Sequence, residues 1–64
     1  MNIIDCRKQS NVSISYMADA LGISPSEYVR YEKNPSITPI NIALGISKVT
    51  GVPYDDIFFG DNSN

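Results

Sequence analysis

Sixty-four residues make one small domain and not two, and a chain of this size buries only about 60% of its unfolded surface, so stability is marginal without help. A single cysteine, Cys6, cannot form an internal disulfide, and the absence of histidine removes any Cys/His zinc cluster as well as a histidine base for catalysis. Seven acidic against five basic residues give a net charge of −2 and a pI near 4.6, which argues against a nonspecific nucleic-acid binder.

The charge is unevenly spread. Residues 54–64 hold Asp55, Asp56 and Asp61 and no base, whereas residues 1–53 hold five bases and four acids. No apolar run approaches the roughly 20 residues of a membrane span. With one half-buried cysteine and no signal peptide, the expected setting is a reducing cytoplasm. No cofactor, metal or catalytic group is implied, and an enzyme is not expected.

In chain order, a first helix opens at Met1 or Asn2 and runs to about Ser10, with Ile3 as its main core residue. Asn11 ends it in the left-handed region, which Asn tolerates better than most residues. Ser13 caps a second helix over about 14–21, where Met17, Ala18 and Leu21 share one apolar face. Gly22 supplies the left-handed turn that ends it, and Ile23 returns to the core. Ser24, Pro25 and Glu27 then read as a capping box with proline at the first helical position, opening a third helix over about 25–33. Two helices joined this tightly cross steeply, and Ala18 is small enough to let them approach.

Asn34 is the expected C-cap of the third helix, and Pro35 prevents its continuation. Thr38 and Pro39 repeat the cap-plus-proline start for a fourth helix over about 39–50, with Ile40, Ala43, Leu44 and Ile46 as its apolar stripe. Gly51 ends it and Val52 returns to the core. Residues 54–58 are expected as a short last helix with Asp55 and Asp56 in its first turn, where the helix dipole favours negative charge. The domain is thus expected over 1–59, with a flexible polar tail over 60–64.

Arg7, Val12-Ser13, Met17-Ala18, Leu21-Gly22-Ile23-Ser24, Tyr28, Tyr31-Glu32, Ile46 and the closing run Gly51 to Phe58 together resemble the Cro and lambda-repressor type of helix-turn-helix domain. The resemblance covers about residues 3–58. It implies an all-α fold of five short helices, a recognition helix over 25–33 that enters the major groove, and a homodimer on a near-palindromic, double-stranded operator. It also implies an ion pair between Arg7 and Glu32, for which the guanidinium fork suits a carboxylate.

By the same resemblance the base-contacting residues are Pro25, Ser26, Glu27 and Arg30. Arg30 can donate to guanine O6 and N7, and Glu27 can accept from cytosine N4 unless its carboxylate serves the capping box. Phosphate contacts fall to Lys8, Ser13, Ile14, Lys33, Asn34 and Ser36. Ile14 stands where the family commonly has Gln, and an exposed apolar side chain there could instead touch a thymine methyl or a protein.

The loop Pro35-Ser36-Ile37 lacks the Lys or Arg often found in this family, so weak DNA reading by a single protomer is expected. Ile57 and Phe58 are expected to complete the core. Tyr54, Phe58 and Phe59 form the candidate dimer or partner surface, unless Phe59 folds back as a plug. The rival reading is a protein-binding module on the same fold, such as an antirepressor or a subunit active only with its partner.

Overall fold

A computed structural model describes residues 1–60 and shows four α-helices and two short 3₁₀ turns around one core. Helix α1 spans Ile3–Gln9 and is capped by Asn2, whose Oδ1 accepts from the Asp5 amide at 2.8 Å. Asn11 stops the chain at φ 57, the left-handed conformation expected of it. Helix α2 spans Ile14–Leu21, with Ser13 Oγ accepting from the Tyr16 amide at 3.0 Å.

Gly22 (φ 74) closes α2. Its amide donates to the Asp19 carbonyl at 3.1 Å and the Ile23 amide to the Ala18 carbonyl at 3.0 Å. This nested pair satisfies carbonyls that a helix end would leave without partners. Helix α3 spans Pro25–Lys33, with Ser24 Oγ accepting from the Glu27 amide at 3.1 Å and Pro25 in the first turn.

Asn34 terminates α3 as expected, with its backbone there at φ −138 and ψ 76. Pro35 is the reason, since its ring pushes the preceding residue toward extended backbone. Beyond α3 the structure departs from expectation. Pro35–Ile37 then forms a 3₁₀ turn.

Thr38 precedes Pro39 and meets the same restriction, so Pro39 takes the N-cap position without a side-chain hydrogen bond and α4 spans Ile40–Thr50. The Thr38 hydroxyl is buried with no partner among the described residues. On α4 the buried residues are Ile42, Ala43 and Ile46, whereas Ile40 and Leu44, expected in the core, are 60% and 51% exposed.

The expected fifth helix is also corrected. Tyr54–Asp56 forms a single 3₁₀ turn, after which the backbone extends and Phe58 pairs with Asn2 in an isolated parallel bridge. The Phe58 amide donates to the Met1 carbonyl at 2.7 Å, so pairing with the amino-terminal end replaces a further helical turn. Ile57 is buried as expected, but Phe58 is 58% exposed. Phe59 folds back instead, packing on the core with its ring stacked on Tyr54 at 5.5 Å. Of the expected tail over 60–64, only Gly60 lies within the described residues.

The core gathers Ile3, Cys6, Met17, Ala18, Tyr28, Tyr31, Ile42, Ile46, Val52 and Ile57, drawing on every helix. Cys6 is fully buried, not half-buried, and burial raises its thiol pKa so that it stays protonated. Gly45 lets α4 run close to α2, because a Cβ there would lie 2.6 Å from Leu21 Cδ2.

Candidate nucleic-acid interface

The α2–α3 corner presents the residues that the sequence singles out. Ser26, Arg30 and Lys33 fall at i, i+4 and i+7 of α3 and are all exposed, with Pro25 exposed at its start. The opposite face of the same helix buries Tyr28 and Tyr31. α3 is therefore anchored by two aromatic rings and presents a polar, basic stripe outward. Ser13 and Asn34 are exposed where α2 begins and α3 ends, Ser36 is exposed in the turn that follows, and Lys8 is exposed on the last turn of α1.

Glu27 behaves differently. Its amide takes the Ser24 cap, but its half-buried carboxylate accepts the Tyr31 hydroxyl at 3.1 Å and does not close the capping box. Burial first and this carboxylate second raise the Tyr31 phenol above its ordinary range. The contact spans one helical turn, and a Glu-to-Tyr spacing of four was the sequence signal for it.

Ile14 is likewise not the exposed residue expected. It is half-buried against the core at the start of α2.

A partly buried polar cluster holds α3 against the rest. Arg7 Nε donates to Glu32 Oε2 at 2.6 Å, and Arg7 Nη1 donates to the Val12 carbonyl at 3.1 Å. One guanidinium thus ties the end of α1, the entry to α2 and the last turn of α3. Hydrogen bonding to Glu32 pushes the Arg7 pKa up still further, so the charge is permanent.

The Tyr28 hydroxyl is buried beside this pair without a hydrogen bond of good geometry. Burial, then the Glu32 carboxylate, holds its phenol far above the usual range. Nothing in the sequence alone placed Tyr28 against the ion pair.

In the turn after α3, the Ser36 hydroxyl donates to Asn34 Oδ1 at 2.9 Å. Its proton is thereby committed, and the Asn34 amide nitrogen is left with two N–H groups to offer. Ser36, expected at a phosphate, thus has a hydrogen-bond partner within its own turn.

Two short helices joined by a glycine turn, the second presenting an exposed basic stripe, define a helix-turn-helix protein. A family model described as helix-turn-helix matches residues 3–57. The chain belongs to this family, of the Cro/C1 type, whose members are DNA-binding regulators. Comparison with curated proteins and with solved structures gave no match. Among the described residues no helix is long and apolar enough to cross a membrane, and no three carboxylate, Cys or His side chains gather as a metal site would require.

Proposed function

We propose that this chain is a sequence-specific regulator that occupies an operator as a homodimer in the cytoplasm and acts by excluding or contacting polymerase. The observation that carries this reading is the exposed α3 stripe, with Arg30 at its centre, Ser26 one turn before it and Lys33 one turn after. Arg30 reads guanine through two donors, Ser26 meets a base edge or phosphate, and Pro25 contacts the groove at the helix start.

Glu27 is turned toward Tyr31, so its part in base reading is secondary. The amides at the start of α2 beside Ser13 and Ile14, together with Lys8, Lys33 and Asn34, hold the backbone.

Binding selection from random duplexes, followed by band shifts on the enriched site, tests this. Arg30→Ala is expected to weaken the selected site by about 1–3 kcal/mol and to relax preference at one base pair per half-site. Equal binding of Arg30→Ala and wild type at the selected site would falsify the reading.

A rival reading, a module that binds another protein, draws on the exposed Ile37, Ile40, Leu44 and Phe58. Exposed apolar groups of this kind suit a protein contact. The homodimer reading assigns part of that surface, with Tyr54 and Phe58 outermost and Phe59 behind them, to the second copy. A chain that selects no duplex sequence but forms a stoichiometric complex with another protein favours the rival.

A further inference from the structure

The chain crosses the turn after α3 once more, at Gly60. A Cβ built on Gly60 would lie 2.7 Å from Ser36 Cβ, 2.8 Å from Ser36 Cα and 3.0 Å from the Ser36 amide nitrogen. Gly60 also sits at φ 113, where L side chains are strained. Both facts require glycine: one because the two backbones touch, the other because the chain must turn as it passes.

The segment that brings Gly60 there is fixed from behind. Ile57 is buried, Phe58 is bridged to Asn2 with its amide on the Met1 carbonyl, and Phe59 is stacked on Tyr54. Residues 57–60 therefore form a strap from the amino-terminal end of the molecule to the Pro35–Ile37 turn. Ser36, at the far end of that strap, holds the Asn34 side-chain oxygen.

We infer that the carboxy-terminal strap is a positioning device for DNA binding: Gly60 seats Ser36, and Ser36 orients the Asn34 amide toward a phosphate. Gly60 touches no DNA itself. The inference rests on the proposed phosphate role of Asn34. A neutral donor of this kind contributes affinity without sequence information and without releasing a counterion of its own.

Gly60→Ala introduces both the clash and the strain at a position beyond the buried residues of the core. It is expected to weaken binding to the selected site and to an unrelated duplex by the same factor, roughly fivefold per protomer. The specificity ratio and the salt slope stay unchanged, and thermal unfolding stays cooperative.

Asn34→Ala is expected to give the same uniform loss, and Gly60→Ala is expected to add little to it. Chemical synthesis with Gly60→D-Ala suits a positive φ and directs the methyl away from the L-type Cβ position. It is expected to retain wild-type affinity, since neither the clash nor the strain arises.

If Gly60→Ala binds as wild type while Asn34→Ala is weakened, the strap does not position the turn and the inference is overturned. If Asn34→Ala itself binds as wild type, the phosphate role of that residue fails, and the inference with it. A loss in Gly60→Ala confined to the selected site also overturns it, since a phosphate contact is blind to sequence.

Discussion

Arg7 and Glu32 show how much a small domain can rest on one polar contact. Their side chains are 12% and 8% exposed, so neither charge is well hydrated if the other is removed. Arg7→Met or Glu32→Ala alone is expected to cost about 3–5 kcal/mol, because a buried charge is left uncompensated. That is a large part of the 5–15 kcal/mol typical of a whole domain. Replacing both residues with apolar ones should restore most of the loss, and urea unfolding of the two single variants and the double variant measures the coupling.

Tyr28 adds a pH dependence. Its folded-state phenol lies well above the unfolded value of 10, chiefly through burial. The folded state therefore retains a proton that the unfolded chain releases, and this contribution is complete below about pH 10 and lost as pH rises beyond it. Tyr28→Phe removes the titration together with a buried hydroxyl that lacks a good partner. It is expected to match or exceed wild type at pH 7 and to lose less stability between pH 9.5 and pH 11, conditions chosen to bracket a phenol pKa of about 10. A steeper alkaline loss in the Phe variant would contradict this account.

At the scale of elements, the helices most legible in the sequence are those with local punctuation. Ser13, Gly22, Ser24 and Pro25 each do a job that neighbours within a few residues can complete, and α2 and α3 begin and end where those residues put them. Helix α4 was legible as a helix but not in its orientation. Ile40, Ile42, Ala43, Leu44, Ile46 and Val49 place apolar groups nearly all round it, so periodicity alone cannot choose the buried face.

Gly45 helps to decide that face by admitting Leu21. Gly45→Ala is expected to change stability by no more than about 1 kcal/mol. The helix-propensity gain of roughly that size opposes a clash that a turn of the Leu21 side chain relieves. Gly45→Val brings more volume to the same contact and is expected to lose about 1–3 kcal/mol. Thermal melts of the two variants separate a packing glycine from an incidental one. The carboxy-terminal run was illegible for a different reason, since the bridge of Phe58 to Asn2 joins residues 56 positions apart and leaves no local trace.

The whole molecule combines a negative net charge with a DNA-binding fold. The proposed DNA-facing set includes Arg30, Lys33 and Lys8, whereas Asp55 and Asp56 lie in the turn before the strap. The candidate-site residues were legible by position, but their orientation was not: Glu27, Ile14 and Ser36 each met a partner within the fold that one-dimensional spacing could not supply. The proposed contact is then sparse, two lysines per protomer on phosphate with Arg30 on a base.

Counterion release then sets a measurable expectation. Each neutralised phosphate contributes about −0.9 to the slope of log K against log salt, so a homodimer should show roughly −4 and a monomer roughly −2. Lys33→Gln removes one phosphate charge per protomer and should bring a dimer close to −2 at both selected and unrelated duplexes, whereas Arg30→Ala acts chiefly on the selected one. Fluorescence anisotropy across 50 to 200 mM salt, about the range over which such slopes are read, gives both values. A slope near −2 for the wild type would remove the dimer from the reading. A slope that Lys33→Gln leaves untouched would instead remove the phosphate role of Lys33.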